Sequence, residues 1–256
     1  MYLKLILICS VFLFPYFSIA QKGAIDLSEN LYNNTEVLKV TMGTQWPGKI
    51  WKFQFGEYEV VSGKTGWVTT GNRASIFNRK TESITTEKFS FVLSNRSGDS
   101  AMVNAAKKVK ANSLREIEIL PRFSIGTNDM LSETGNFAAF INVNNDTTDT
   151  WALLMNVFSL NEDNKFYDAF LTNGSRKIII QPVTSKDNRS IPALGYEFRE
   201  NEVALCAVQY YGGGALGTNK NIIWLGKQLD EHMKLIFAAA MTALLQIKVT
   251  SPSPGL

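Results

Sequence analysis

The most continuous apolar pattern in the chain lies near its end, within Leu229–Val249. Every residue of Leu235–Leu245 is apolar except Thr242, and neither Gly nor Pro interrupts the run. Ala, Leu and Met favour a helix, which Asp230 can cap and Lys248 can stabilise through the helix dipole. A helix without a polar face is enclosed by protein or by a membrane, and this run is far shorter than the roughly 20 residues that span a bilayer. The pattern therefore predicts a helix buried in protein on all sides.

Most of the preceding chain alternates apolar and polar residues with the period of a half-buried β-strand. The alternation is clear at Trp51–Phe55, and short segments of the same kind recur as far as Asn221–Leu225. Turn signals such as Asn173-Gly174 separate them and are typical of hairpins. We predict about eleven or twelve short strands, with Met102–Lys110 open between a strand and a short helix.

These elements predict a mainly β fold, in which an antiparallel barrel of about twelve strands is wrapped around the buried C-terminal α-helix. Closure removes the exposed edges of a sheet, and an apolar helix would fill the interior that so many strands leave open. The alternative is a β-sandwich with a packed C-terminal helix. No linker divides the chain, so residues 46–249 are expected to form a single domain. A polar lead-in segment at 21–45 precedes it, and a disordered tail at 250–256 follows.

The N-terminus has the pattern of a signal peptide over residues 1–20. Lys4 precedes the apolar stretch Leu5–Tyr16, and a small-x-small motif ends at Ala20, so Gln21 is the expected first mature residue. The protein is then exported to the periplasm or the extracellular space, with no transmembrane span after cleavage. Export without a disulfide framework is typical of a bacterial protein.

Charge and composition narrow the function classes. The formal net charge is only +3, so nucleic acid is not an expected partner. Cys9 leaves with the signal peptide, and the remaining Cys206 lies in an apolar run, where a buried thiol is expected. His232 is the only histidine, which excludes a multi-histidine metal site, and no cofactor is predicted. A Ser-His-Asp triad would need His232 as its base. The position of His232 in the first turn of the helix instead predicts a residue at the barrel rim.

Two groups of residues are candidate ligand or surface contacts. Three lysines, Lys107, Lys108 and Lys110, could contact anionic lipid or an envelope polysaccharide, although a solvated surface also explains them. The second group begins a G-x-G-x-x-G sequence and consists of Gly212, Gly213 and Gly214. Because a strand rather than a helix is predicted to follow, this segment is interpreted as a hairpin loop at a barrel mouth, not as a nucleotide site.

One pair of carboxylates leaves an enzymatic alternative open. Glu116 and Glu118 lie on one face of a predicted strand. Paired carboxylates can hydrolyse glycosides, whereas an exposed polar face is the ordinary explanation for such a pair.

The order of the elements resembles that of the tubby C-terminal-like superfamily, which includes phospholipid scramblases and LURP-one-related proteins. The similar segments are the early hairpin Phe53–Tyr58, the closing strands Gly195–Phe198, Val203–Val208 and Ile222–Leu225, and Leu229-Asp230 before the helix. The resemblance implies a twelve-stranded antiparallel barrel around a buried C-terminal helix, and a role at a lipid or membrane surface. It assigns no calcium or phosphoinositide ligand to a residue of this chain.

The sequence therefore predicts an exported, non-enzymatic domain that binds a ligand or has a structural role in the cell envelope. The ligand is not identified by the sequence. The alternative function is that of a carboxylate-based hydrolase such as a glycosidase.

Overall fold

A computed structural model of the chain describes residues 24–43, 49–66, 68–74, 80–114, 117–120, 123–125, 130–159, 165–186, 192–214 and 219–250. The predicted signal peptide with its cleavage site at Ala20 and Gln21, the tail beyond residue 250, and Glu116 lie outside the described residues.

The described chain contains two helices and sixteen strands. The helices are α1 (Glu29–Asn33) and α2 (Glu231–Thr250). The strands are β1 (Thr35–Lys39), β2 (Thr41–Met42), β3 (Phe53–Phe55), β4 (Tyr58–Thr65), β5 (Thr69–Ala74), β6 (Lys80–Ser94), β7 (Ser100–Leu114), β8 (Ile117–Leu120), β9 (Phe123–Ile125), β10 (Met130–Val143), β11 (Trp151–Ser159), β12 (Lys165–Thr172), β13 (Lys177–Thr184), β14 (Leu194–Glu200), β15 (Val203–Tyr211) and β16 (Ile222–Gly226).

Fourteen of the strands form one antiparallel sheet that is nearly closed into a barrel. Their order is β1-β16-β15-β14-β13-β12-β11-β10-β7-β6-β4-β3-β2, with β5 also paired to β6, while β8 and β9 form a separate hairpin. The end strands β1 and β2 are separated in the chain only by Val40. One continuous segment, Thr35–Met42, therefore pairs with β16 through its first half and with β3 through its second half.

Helix α2 fills the barrel and packs against β7, β10, β15 and β16. All the side chains of Leu235–Leu245 are buried, and the ring of Phe237 meets Phe198 edge-on with centroids 5.8 Å apart. At the start of the helix, the N–H of Met233 donates to Oδ1 of Asp230 at 2.7 Å. The predictions of a barrel around a helix buried along its apolar length, and of its N-cap, are confirmed.

The strands are more numerous and longer than the apolar alternation predicts. The segment Met102–Lys110 is a strand within β7, and β6 extends back to Lys80 through a polar, Thr-rich sequence. Thr suits a strand because it is β-branched, although its polarity hides the alternation of faces. The lead-in segment at 21–45 contributes α1 and the two strands that join the ends of the sheet.

The lead-in segment also covers one side of the barrel from outside. Ile25 and Leu31 form a second small core with outward-facing residues of β15 and β16, including Trp224. The carboxylate of Glu197, only 2% exposed, accepts hydrogen bonds from the N–H of Ser28 at 2.6 Å and from its hydroxyl at 2.7 Å. We call this side of the barrel the covered face.

Candidate binding surface

The three lysines predicted to form one cluster lie on opposite sides of β7. Lys107 is 5% exposed and lies on the inner side, opposite Glu87 on β6 and Phe137 on β10. Lys108 is exposed on the outer side, and Nζ of Lys110 lies 3.0 Å from Oε2 of Glu82. Because alternate residues of a strand face opposite ways, Lys107 does not belong to a basic outer surface, and the predicted cluster is corrected to Lys108 and Lys110.

The glycine segment lies in the predicted hairpin connection between β15 and β16, but the candidate contacts Gly212 and Gly213 are wrong because both residues are buried. Gly212 and Gly213 are buried and have positive φ angles of 68° and 74°. A Cβ atom on Gly212 would lie only 2.3 Å from the carbonyl oxygen of Pro192, so only glycine fits there. The amide of Gln209 donates to the carbonyl oxygens of Gly212 and Lys220, which fixes both ends of the loop. Of the three candidate glycines, only Gly214 is partly exposed.

His232 lies at the barrel rim, where a polar network joins helix α2 to the loops. Its Nε2 lies 3.2 Å from Oδ2 of Asp149, which also accepts a bond from the indole N–H of Trp151. The amide of Asn173 donates to Oδ1 at 2.9 Å and is the main reason why the pKa of Asp149 lies below its ordinary value. This environment gives His232 a structural role at the rim.

An ion pair lies at the same rim. Arg176 donates from Nε and Nη2 to the two carboxylate oxygens of Glu200 at 2.9 and 2.7 Å. The guanidinium lies 5.7 Å from the ring centre of Trp151, and its Nη1 contacts the sulfur of Met233 on α2. The hydrogen bonds from Arg176 lower the pKa of Glu200.

Cys206 and the glutamate pair were the other residues singled out as possible sites of chemistry. Cys206 is fully buried, and burial raises the pKa of its thiol, so the predicted buried thiol is confirmed. Glu118 belongs to the β8–β9 hairpin, opposite Ser124, and its proposed partner Glu116 lies outside the described residues. Within the described ranges, no group of three or more His, Cys, Asp or Glu side chains could hold a metal ion.

A partly exposed apolar row crosses the outer side of the sheet from β7 to β13. Direct cross-strand pairing places five outward-facing residues side by side, in the order Ala106, Ala138, Leu154, Phe170 and Ile179. Ile179 is 39% exposed, and Phe140, two residues from Ala138 along β10, is 48% exposed. We call this row with Phe140 the open face.

Basic side chains lie at both ends of this row. In the register of the sheet, Lys88 on β6 pairs with Ala106 at one end, and Arg199 on β14 pairs with Ile179 at the other. Nζ of Lys177 lies 4.4 Å from the ring centre of Phe170. Asp168 is the acidic residue on the outer side of β12, and it is exposed. The open face thus combines an apolar centre with a predominantly basic margin.

Two cavities meet beside the Lys88 end of the open face. An outer groove of about 370 Å³ lies over β4, β6, β7 and β10, and a second cavity of about 210 Å³, the mouth pocket, reaches the C-terminal part of α2. Both are lined by Thr65, Gly66, Lys88 and Phe89. The cavities are therefore neighbours, at the place where β4 ends and the chain turns toward β5.

The open face was missed by the sequence analysis, although the sequence carries a signal for it. Three segments are apolar on both faces of their strands, namely residues 137–141, 151–155 and 178–180. A strand with one solvated face instead alternates apolar and polar residues. One face of each segment is buried in the core that contains α2, so the other had to lie against a further layer or stay exposed. On the covered face the outer apolar residues lie against a further layer, and on the open face they stay in contact with solvent.

The fold and this surface define a β-barrel filled by its own helix, with a partly apolar and basic outer face. Neither helix in the described part of the chain is long and apolar enough to cross a membrane. Searches of protein-family models, of curated proteins and of solved structures find no match for this chain.

Proposed function

We propose that this protein is an exported, non-enzymatic binding domain of the cell envelope, and that its open face docks on an anionic lipid surface. The observation that carries the proposal is the uncovered apolar row between Lys88 and Arg199. An anionic lipid surface offers both of the required partners, since headgroups attract the basic margin and the interfacial region accepts the apolar side chains.

The packing of the barrel supports an outer binding surface. Helix α2 occupies the interior with buried side chains from Leu235 to Leu245, so the inner volume is already filled by the chain itself. On the covered face, α1 and the residues before it shield the sheet. The open face is the part of the described sheet where apolar residues of several neighbouring strands stay together in contact with solvent.

The expected binding is weak and depends on salt. Burial of apolar surface contributes about 25 cal/mol per Å² removed from water, and each lysine or arginine near an anionic surface adds about 1 kcal/mol. The side chains of the open face are only partly exposed, so the apolar gain is modest. Charge and apolar contact are therefore both needed for measurable binding.

Vesicle co-sedimentation tests the proposal directly. The mature protein is expected to sediment with vesicles of phosphatidylglycerol and phosphatidylcholine, to bind pure phosphatidylcholine weakly, and to be released by salt. Phe140→Ser with Ile179→Ser should reduce binding at least about fivefold, the factor that corresponds to about 1 kcal/mol. Val203→Ser is the matched control, because Val203 is 49% exposed but lies outside the open face.

Charge variants separate electrostatic from apolar binding. Lys88→Gln with Lys177→Gln should weaken binding to the anionic vesicles, whereas Lys39→Gln, an exposed lysine on β1, should not. Equal binding by all these variants would contradict the proposal. Retention on an immobilised anionic polysaccharide, without binding to vesicles, would assign the surface to an envelope glycan instead.

Export belongs to the same proposal and has its own test. Expression of the full chain in a bacterial host, followed by fractionation and mass spectrometry, should give a product that begins at Gln21. A product that retains Met1, or one with lipid attached to Cys9, would contradict export by cleavage at this site.

The resemblance to the tubby C-terminal-like superfamily is also part of this proposal. A barrel around a C-terminal helix is the architecture that this resemblance implies, and a role at a lipid surface is compatible with it. The residues of the open face support binding independently of this resemblance.

A further inference from the structure

The mouth pocket lies where the sheet opens between two strands. Pairing of β4 with β6 ends at Thr65 and Phe89, followed by one bond from the N–H of Gly66 to the carbonyl oxygen of Lys88 at 2.6 Å. Pairing with β6 resumes only at Thr69, through β5. In this interval the inner side of β6 is reached from the outside of the barrel, because Phe89 lines both the outer groove and the mouth pocket.

The walls of the mouth pocket are mainly apolar. They include the side chains of Ile50, Trp51, Val68, Phe89 and Ile247. With about 210 Å³, the cavity is smaller than the roughly 300–1,000 Å³ typical of sites for drug-sized ligands. Its volume therefore suits one narrow hydrocarbon segment.

The apolar walls are held in place by contacts on both sides. Gln246 of α2 accepts a bond from the N–H of Trp51 at 3.1 Å and donates one to its carbonyl oxygen at 2.7 Å. The ring of Phe89 stacks with those of Phe91 and Phe137, at centroid distances of 6.3 and 6.2 Å. Entry of a ligand then requires little ordering of the wall, which reduces the entropic cost of binding.

Charges at the pocket favour an anion at its entrance and not in its interior. Lys64 and Lys88 are exposed, and both line the outer groove. Lys64 pairs with Ser90, two residues from Lys88 along β6, so the two lysines are diagonal neighbours. The mouth pocket itself is lined by Glu87 as well as Lys88, so the excess of positive charge lies at the outer groove, which Lys64 and Lys88 line.

We propose that the mouth pocket takes the hydrocarbon chain of a single-chain anionic amphiphile, such as a fatty acid or a monoacyl phosphate, with the head group between Lys64 and Lys88. This inference rests on the proposed function, since it names the kind of lipid that one end of the open face would take from a surface. The two are separable, because Val68 belongs to the mouth pocket and Ile179 lies at the far end of the open face.

Isothermal titration of the mature protein with three amphiphiles of equal chain length tests the inference. Decanoate, decan-1-ol and decyltrimethylammonium are used below the concentrations at which they aggregate. Decanoate is expected to bind most tightly, and Lys64→Gln with Lys88→Gln should weaken it about tenfold, the sum of two modest ionic contacts. Lys39→Gln is the charge control and should bind decanoate as the unchanged protein does.

A pair of tryptophan substitutions tests the location of the chain. Val68 is 59% exposed and lines the mouth pocket, so Val68→Trp should fill the pocket and reduce decanoate binding at least about tenfold, as expected when a chain loses its apolar site. Val61→Trp is the control, because Val61 is 45% exposed and lies outside the residues that line this pocket. Thermal melts of both variants check that each one folds.

The outcomes distinguish the inference from the proposed function. Val68→Trp should bind decanoate more weakly and anionic vesicles as before, whereas Ile179→Ser should bind vesicles more weakly and decanoate as before. If Val68→Trp leaves the affinity for decanoate unchanged, the inference is overturned and the proposed function is not affected. Tighter binding of decyltrimethylammonium would also overturn it, and would assign the pocket to a cation held by Glu87 and the aromatic rings.

Discussion

Oδ2 of Asp149 lies 3.2 Å from Nε2 of His232, although the two residues are 83 positions apart in the chain. Asp149 belongs to the loop between β10 and β11, and His232 lies in the first turn of α2. Their contact joins the start of the central helix to the rim of the barrel. The barrel and its helix are therefore linked by polar contacts at the rim as well as by the apolar core.

The first prediction concerns acid stability at Asp149. Hydrogen bonds, mainly from Asn173, hold its pKa below 3.8 in the folded chain, so its carboxylate stabilises the fold above that pH. The contribution is lost as the pH falls through the lowered folded pKa. Asp149→Asn should therefore reduce the melting temperature at neutral pH, and the difference from the unchanged protein should shrink in acid. A difference that stays constant in melts over this pH range would contradict the role of the charge.

The second prediction concerns the bidentate ion pair at the same rim. Arg176→Lys keeps the positive charge but loses the paired bonds to Glu200 and the stacking over Trp151. We expect a loss of about 1 kcal/mol in the free energy of unfolding, measured in urea. Lys186→Ala is the control, because Lys186 is 83% exposed in its pair with Asp26 and should contribute almost nothing.

The third prediction concerns the central helix. Phe237 is fully buried and meets Phe198 edge-on, so Phe237→Ala should cost about 3–5 kcal/mol of stability in denaturant unfolding. Ala239→Asp should be worse, because it places an unpaired charge where no side-chain surface reaches water. The exposed Val203→Ala should change stability by less than about 0.5 kcal/mol. A cooperative melt of Ala239→Asp near the original temperature would contradict burial of the helix.

The fourth prediction concerns the segment that covers the outer face of the sheet. Ser28→Ala removes the hydroxyl bond to the buried carboxylate of Glu197 but keeps the backbone bond. Hydrogen exchange should then become faster in residues 24–34 by about fivefold, the factor for about 1 kcal/mol, and stay unchanged in α2. Equal protection of the segment in both proteins would show that the hydroxyl bond to Glu197 does not help to hold it. Ser62→Ala, at an exposed position of β4, serves as the control.

Much of the fold could be predicted from the sequence because its signals are local. The apolar run of α2, its cap at Asp230, and the hairpin at Asn173-Gly174 each depend on residues that are close in the chain. The burial of Cys206 followed from the apolar run around it. Helix propensity, capping and turn geometry act over a few residues, so the printed sequence contains what they need.

The open face depends on relationships that the sequence does not contain. Lys107 and Lys108 are adjacent, yet only the register of β7 decides that Lys107 faces inward, because a shift by one residue exchanges the two sides of a strand. The row from Lys88 to Ile179 exists because five later strands lie beside β6 in a particular order. Local pattern alone predicted α2 and many of the strands; long-range pairing, whose registers depend on the packing of the whole barrel, decided the full extent of the strands and which side chains form a common surface.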